Sequence, residues 1–121
     1  GKGVKVYNIV VETFNIIERK MNKNPIEVFV KAIENAAPRE EITTIEYGGA
    51  KYPQAVEVAP QRRVDLALRY MTQGSYQRGF NKKIKIQDIL SDEIIKAYNI
   101  DQGSAAIAKK LELERQADSS R

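Results

Sequence analysis

The chain contains no cysteine and no histidine, and these two absences remove several kinds of chemistry. Without cysteine there are no disulfides and no thiolate nucleophile. Without histidine, the commonest acid–base catalyst and a common metal ligand are missing as well. The apolar runs are only a few residues long, so the sequence predicts neither a membrane-spanning helix nor a signal peptide. We therefore expect an intracellular setting and no cofactor or metal site.

Charged residues of both signs are plentiful, but they are unevenly placed. Of the 121 residues, 42% are hydrophobic and 30% are charged, a balance typical of one folded domain over residues 1–121. The net charge is only +4, yet residues 62–85 carry seven basic residues against Asp65 alone, and residues 1–23 carry five against two. Two such segments indicate a surface that faces a polyanion. The alternative is that these residues only solvate helix faces.

Apolar residues at helical spacing predict five helices. The first covers about residues 4–22, and Asn24 with Pro25 is typical of the start of the second, which Pro38 ends. The others are expected at about residues 61–77, at about 86–99 and from Ser104 onward. The predicted inward residues are, helix by helix, Val6, Val10, Phe14, Ile17 and Met21; Phe29, Ile33 and Ala36; Val64, Ala67, Leu68 and Met71; Ile86, Ile89, Leu90, Ile94, Ala97 and Tyr98; and Ile107 and Leu111.

Two alternating runs between the second and third helices predict a β-hairpin at about residues 41–58. Gly48 and Gly49 lie between the runs, where a tight turn needs positive φ. Pro53 in the second run requires an edge strand or a bulge, which a two-stranded ribbon provides. We expect the base of the hairpin to pack on the helices and its tip to project. An ordinary exposed turn is the alternative.

Residues 60–83 hold the strongest local indication of nucleic-acid binding. The third helix begins with Gln61, Arg62 and Arg63, and a helix start attracts phosphate through its free N–H groups. Residues 74–83 interleave glycine, aromatic and basic residues, which in a loop lets the backbone approach phosphates while a ring stacks on a base. No carboxylate pair, phosphate-binding loop or nucleophile–base pair is recognisable, so we predict that the chain is not an enzyme.

Several separated motifs resemble, in the same order, the signature of the S7 family of small-subunit ribosomal proteins. They are Asn24-Pro25-Ile26-Glu27-Val28-Phe29, Pro38-Arg39-Glu40, Gly48-Gly49 and Pro60-Gln61-Arg62-Arg63-Val64. The ending, Ser104-Ala105-Ala106-Ile107-Ala108-Lys109-Lys110, is similar to the archaeal and eukaryotic branch, and we favour the archaeal one. The resemblance implies a mainly α fold, a bundle of about five helices with one protruding antiparallel β-hairpin.

The resemblance also implies a function. It implies a protein that binds small-subunit rRNA, nucleates assembly of the head (3′ major) domain and has other head proteins as neighbours in the cytoplasmic ribosome. The hairpin would reach toward the exit-site tRNA, close to the mRNA path. Members of this branch extend upstream of the segment that resembles residues 1–7, so we expect a shortened form or one that lacks a basic arm and a helix.

Matching the chain to the RNA-facing regions of the family implies two groups of contact residues. The rRNA-binding group is Lys2, Lys5, Arg39, Lys51, Gln61, Arg62, Arg63, Arg69, Arg78, Lys82, Lys83, Lys109, Lys110 and Arg115. The group near the tRNA is Tyr47, Gly48, Gly49, Lys51 and Tyr52. Alternatively, Arg39 supports the base of the hairpin, and Arg63 pairs with Asp65 or Glu57.

Two other functions stay open on the residues alone. One is a helical DNA-binding regulator that would place residues 61–77 in a major groove, although a ribbon rather than a short helix precedes that segment. The other is a protein–protein scaffold whose basic segments are incidental.

Overall fold

The computed structural model of the chain describes residues 2–79 and 83–120. Within these ranges five helices and two strands follow one another: α1 (Lys2–Met21), α2 (Pro25–Ala36), β1 (Glu40–Tyr47), β2 (Ala50–Glu57), α3 (Pro60–Gly79), α4 (Ile86–Tyr98) and α5 (Ala105–Ser119). The predicted mainly α-helical fold with one antiparallel β-hairpin is confirmed.

Local sequence sets the helix ends. Asn22 adopts a left-handed φ of 52° directly after α1. Two residues on, Asn24 Oδ1 accepts a hydrogen bond from the Ile26 N–H at 2.9 Å and caps α2. Ser104 Oγ accepts from the Ile107 N–H at 3.3 Å and caps α5. These bonds satisfy N–H groups that a helix start otherwise leaves unpaired, which is why Asn and Ser are favoured there.

The core forms around α4, which contacts each of the other four helices. Small side chains allow the helices to approach closely, and larger ones fill the space between them. The core residues with essentially no exposure are Ile17, Val28, Ala32, Ala36, Ala67, Met71, Ile94, Ala97, Ala106 and Ile107.

The N-terminal half of α1 extends past this core. Val6 is 59% exposed and Val10 is 40% exposed, so the predicted inward stripe is wrong at these two positions. α1 has 20 residues and α4 only 13, and an apolar stripe is buried only where another element lies opposite it. Val64, Ile86 and Leu111 are also exposed, although they were predicted to face inward. Helical periodicity identifies the apolar face of a helix, but it does not show which positions along that face another helix covers.

α3 continues to Gly79, so residues 74–79 do not form the predicted loop, and residues 80–82 lie outside the described ranges. Gly74 and Ser75 are buried in α3. A Cβ atom on Gly74 would lie 2.4 Å from the Cβ of Ala105, which is closer than two non-bonded carbon atoms can approach. This glycine therefore allows α3 and α5 to come into contact, and it does not loosen the chain.

The hairpin has the predicted turn, and its strands pair antiparallel from Glu40 opposite Glu57 to Tyr47 opposite Ala50. Gly48 and Gly49 both have positive φ, 57° and 84°, and Pro53 lies opposite Thr44 in a two-stranded sheet with no further partner strand among the described residues. Both strands contact α5, and the Arg39 N–H donates to Glu114 Oε2 at 3.1 Å. The tip projects, and Tyr47 is 77% exposed. The base is thus fixed to the helical body while the turn extends into solvent.

Candidate nucleic-acid interface

A groove of about 960 Å³ lies between α1 and the segment that leads into α4. Lys5, Arg19, Lys83 and Lys85 bring positive charge to it, and the remaining lining residues are Asn8, Ile9, Glu12, Ile16, Ile84, Ile86, Gln87 and Asp88. Arg19 is partly neutralised, because its Nη2 lies 3.3 Å from Glu12 Oε1. The three lysines form no ion pair within the described parts of the chain. Their charges remain available to an anion.

The start of α4 adds hydrogen-bond donors to this groove. Lys85 occupies the cap position with an extended backbone, but its side chain makes no capping hydrogen bond. α2 and α5 differ, since Asn24 and Ser104 cap them. The first turn of α4, including Ile86 and Gln87, lines the groove. Uncapped N–H groups and the positive end of the helix dipole attract phosphate, so donors and lysines act at the same place.

Arg62, at the start of α3, is held by the hairpin. Its Nε and Nη2 donate to the two carboxylate oxygens of Glu41 at 2.9 Å and 3.0 Å. The hydrogen bond to Glu41 and the charge of that carboxylate raise the pKa of Arg62 above its ordinary value. Such a two-point contact fixes direction as well as distance. Arg62 therefore orients the hairpin relative to α3, and its charge is already balanced.

Arg63 and Lys110 both donate to backbone carbonyls near the end of α2. Arg63 Nε donates to Pro38 O at 3.2 Å, not to Asp65 or Glu57, and Lys110 Nζ donates to Asn35 O at 2.9 Å. Burial lowers the pKa of Lys110, with repulsion from Arg39 and Arg63 adding to the effect and Glu114 opposing it. These two cations stabilise the junction between α2 and β1.

Arg78 belongs to a buried junction of three helices. It pairs with Glu93, whose side chain is fully buried in α4, and its Nη1 lies 3.3 Å from Asp92 Oδ2. Glu93 also accepts hydrogen bonds from Ser104 Oγ at 2.6 Å and from the Ala106 N–H at 3.0 Å. One carboxylate thus joins the end of α3 to the start of α5. Arg78 thus stabilises the fold, and its contact with rRNA stays a prediction.

The other predicted contacts are dispersed over the surface. Lys109 Nζ lies 3.9 Å from Glu112 Oε2, and Lys110 Nζ donates to Asn35 O within the chain. The side chain of Lys2 and all of Lys82 lie outside the described residues. Of the residues predicted to contact rRNA, those that are exposed and form no ion pair in the described ranges are Lys5, Arg39, Lys51, Arg69, Lys83 and Arg115, and Gln61 is exposed in the first turn of α3. Of these, only Lys5 and Lys83 line the groove.

The hairpin differs from the groove in charge. Its only basic residue is Lys51, whereas its acidic residues are Glu40, Glu41, Glu46 and Glu57. Ile45 lies directly opposite Tyr52, and Tyr47 follows on the same face of β1. These three residues line a hollow of about 500 Å³. Arg62 neutralises Glu41, and Glu46 lies opposite Lys51, so the part of the hairpin near the turn presents aromatic rings with little net charge.

Arg19 and Lys85 are groove residues that the sequence did not single out. The sequence nevertheless contains a pattern that could have identified each of these two residues. Lys5, Asn8, Glu12 and Arg19 recur at three, four and seven positions, as residues along one side of a helix do. Lys85 directly precedes a helix start without Ser, Thr, Asp or Asn, which indicates an uncapped end.

Two further properties restrict the chemistry of the described residues. In residues 2–79 and 83–120, no three carboxylates come together as a metal site would require. Over the same ranges, none of the helices is both long enough and apolar enough to cross a bilayer.

The chain was compared with known families and curated proteins. The model of the family described as "Ribosomal protein S7p/S5e" matches residues 1–121. A Nanoarchaeum equitans protein named small ribosomal subunit protein uS7 is 56% identical over 121 residues, which are 100% of this chain and 61% of that protein. Proteins of the same name from Archaeoglobus fulgidus and Methanothermobacter thermautotrophicus are each 50% identical, over 100% and 98% of this chain and 62% and 64% of theirs.

The chain therefore spans about three fifths of the length of these curated relatives. All three are archaeal, in agreement with the branch expected from the C-terminal motif. The family is one of ribosomal proteins, and this confirms the prediction that the chain is not an enzyme. The match over the whole chain and the identity of half or more of its residues establish that this protein belongs to the ribosomal protein S7p/S5e family.

Proposed function

We propose that the chain is a structural component of the small ribosomal subunit, in the cytoplasm, and that it binds the rRNA of the head domain through the groove between α1 and α4. The observation that supports this most directly is the combination of Lys5, Lys83 and Lys85 with the uncapped start of α4 in one groove. Lysine side chains and free backbone N–H groups bind phosphates at fixed positions. Such contacts do not depend on the base sequence of the RNA. The printed names of the relatives support the ribosomal assignment.

Recognition would depend on the shape of a folded RNA. Side chains cannot enter the deep groove of A-form RNA, so a rigid protein surface selects the spacing of phosphates at a junction of RNA helices. Binding several segments of RNA at once would order the head domain, which is the nucleating role. Other head proteins would then assemble around this complex.

The hairpin would have a separate role near the exit-site tRNA and the mRNA path. Three of its four acidic residues, Glu40, Glu41 and Glu57, lie at the base, whereas near the tip Glu46 lies directly opposite Lys51, so the tip carries little net charge to attract phosphates. Tyr47 and Tyr52 are exposed and offer rings on which unpaired bases can stack. The Gly48-Gly49 turn and Lys51 would approach the same ligand. Shortening the turn should spare rRNA affinity and reduce tRNA or mRNA contacts, and loss of rRNA binding in that variant would contradict the assignment.

The groove is tested by the salt dependence of binding to a head-domain rRNA fragment. The variant Lys5→Gln with Lys85→Gln should lower the slope of log K against log salt by about 2, since each lysine that contacts a phosphate contributes about one unit. Lys31→Gln with Lys96→Gln changes the charge equally outside the groove and should leave the slope unchanged. Equal slopes for the two double variants would contradict the groove as the rRNA site.

The same titration separates the rival functions. A DNA-binding regulator would prefer a duplex DNA competitor to the rRNA fragment, and a protein scaffold would bind neither. Arg62 and Arg63, which a recognition helix would need at its start, are bonded to Glu41 and Pro38 within the chain. We therefore expect the chain to bind the rRNA fragment in preference to duplex DNA.

A further inference from the structure

The hydrogen bonds of the hairpin determine which of its backbone groups face outward. The Val58 N–H donates to Arg39 O at 2.9 Å, so these two residues form a hydrogen-bonded pair at the base of the ladder. Hydrogen-bonded and non-hydrogen-bonded pairs alternate along antiparallel strands. Thr44 therefore forms a non-hydrogen-bonded pair with Pro53, and the N–H and C=O of Thr44 point away from β2.

The two outer edges of the hairpin are not equivalent. On the outer edge of β2, Pro53 lacks the N–H that a further strand would need. On the outer edge of β1, Ile42, Thr44 and Glu46 each direct one N–H and one C=O outward, and the strand contains no proline. One edge is thus blocked, whereas the other is able to pair.

The outer edge of β1 is accessible. Ile42, Thr44 and Glu46 are exposed, and in residues 2–79 and 83–120 their backbone groups form no hydrogen bond with another element. The run Ile42-Thr43-Thr44-Ile45 consists of β-branched residues, which favour strands. A two-stranded ribbon is only marginally stable by itself, so a third strand at this edge would stabilise it.

The spacing of the outward groups selects a polypeptide as the partner. In an extended strand these groups recur at every second residue, about 6.8 Å apart, and another extended peptide chain has the same repeat. Ile42 and Ile45 lie on opposite faces of the ribbon. A partner strand with β-branched residues would therefore pack against β1 on both faces.

Charge indicates the composition of that polypeptide. Glu46 lies in the open stretch of β1, and although Lys51 is opposite it on β2, the two form no ion pair in the described residues. The neighbour of Glu46 on the open side would come from the partner strand, where lysine or arginine would be attracted. A second copy of β1 has no basic residue and could not supply one.

We propose that the outer edge of β1 pairs with an extended segment of another protein of the small subunit, one that combines β-branched residues with lysine or arginine. The inference rests on the proposed ribosomal function. The pairing uses backbone groups in the middle of the hairpin, so the rRNA groove and the tyrosine rings near the turn remain available to their own ligands.

Hydrogen exchange of the hairpin amides tests this pairing. The isotope-labelled chain is bound to a head-domain rRNA fragment, alone and with small-subunit proteins of Archaeoglobus fulgidus from which its own uS7 has been removed. With the proteins added, the amides of Ile42, Thr44 and Glu46 should exchange at least about tenfold more slowly, because a new ladder protects them. On the rRNA fragment alone, their exchange should stay fast.

Two proline variants make the test specific for one edge. Thr44→Pro removes an outward N–H of β1 without breaking a hydrogen bond to β2, so Ile42 and Glu46 should lose the added protection. Ala55→Pro is the matched control, because position 55 lies opposite Ile42 and directs its N–H to the outer edge of β2. It should keep the full protection. NMR shifts of the inward amides verify that both variants retain the hairpin, and the wild-type measurement does not depend on either variant.

Four results would overturn the inference while leaving the rRNA function intact. The first is unchanged exchange when the proteins are added, and the second is equal slowing on the rRNA fragment alone, which would place RNA at this edge. The third is slowing that depends only on the concentration of the chain itself, which would indicate a second copy. The fourth is an equal loss of protection in both proline variants. If the wild-type chain does not bind the rRNA fragment at all, the proposed function fails, and this inference fails with it.

Discussion

The basic residues of α3 and those of the groove have the same charge but different surroundings. Arg62, Arg63 and Arg78 each have a partner inside the chain, whereas Lys5, Lys83 and Lys85 form no ion pair in the described residues. Arginine forms flat two-point contacts and binds carboxylates and carbonyls well, while lysine is a flexible point charge. A count of positive charge therefore overestimates the surface available to RNA, since part of that charge stabilises the fold.

The largest expected effect comes from breaking the Arg78 contact. Arg78→Ala leaves the buried Glu93 carboxylate without its cation, and we expect a loss of about 3 kcal/mol in the free energy of unfolding. Chemical denaturation measures it. Arg69→Ala, an exposed arginine of the same helix, is the control and should change stability little. Equal effects would mean that Arg78 is not structural.

The start of α4 offers a variant that separates stability from binding. Lys85→Asp introduces a favourable capping residue where none exists, so the free energy of unfolding should rise by about 1 kcal/mol. The same change places a negative charge in the groove and should weaken rRNA binding. Denaturation and filter binding on one sample give both values. Tighter rRNA binding by the more stable variant would contradict the groove assignment.

A smaller effect is expected for a single groove lysine. Lys83→Gln should reduce the salt slope of rRNA binding by about one unit and leave the melting temperature unchanged. Lys109→Gln, close to Glu112 on α5, should not alter the slope. If both variants reduce it equally, the RNA contact extends to α5.

The smallest effect on RNA affinity is expected for Arg62→Ala. Because Glu41 already balances this arginine, the salt slope should stay the same, while the NMR shifts of the hairpin change as β1 loses its link to α3. Glu41→Gln should produce similar shift changes. If the salt slope of rRNA binding fell for Arg62→Ala but not for Glu41→Gln, the arginine would have to leave Glu41 and bind phosphate.

The sequence predicted the elements of the fold well because their signals are local. Asn24 with Pro25, the Gly48-Gly49 turn and Ser104 act through neighbouring backbone groups, so each is visible in a few residues. The end of α3 was misjudged, because glycine at position 74 has a distant reason, the approach of Ala105. Val6 is exposed because no other helix of the described residues covers this part of α1. The apolar stripe of α1 carries no information about where the neighbouring helices end.

The site was less predictable for the same reason. Arg62 meets a residue 21 positions away and Lys110 one 75 positions away, so no window of sequence reveals that these cations are occupied. The basic segments did indicate where positive charge concentrates, and Lys5 and Lys83 were selected from them. Which cations remain unpaired depends on tertiary contacts.

The carboxylate of Glu93 has a consequence for how the molecule opens. Because it binds Arg78 of α3 as well as Ser104 and the first N–H groups of α5, none of the three helices can detach there without exposing a buried charge. Amide hydrogens of these segments should consequently exchange with solvent in a single concerted event, while those of the hairpin tip exchange earlier and independently. α3, α4 and α5 would then unfold as one cooperative unit, and the hairpin tip would move independently of it.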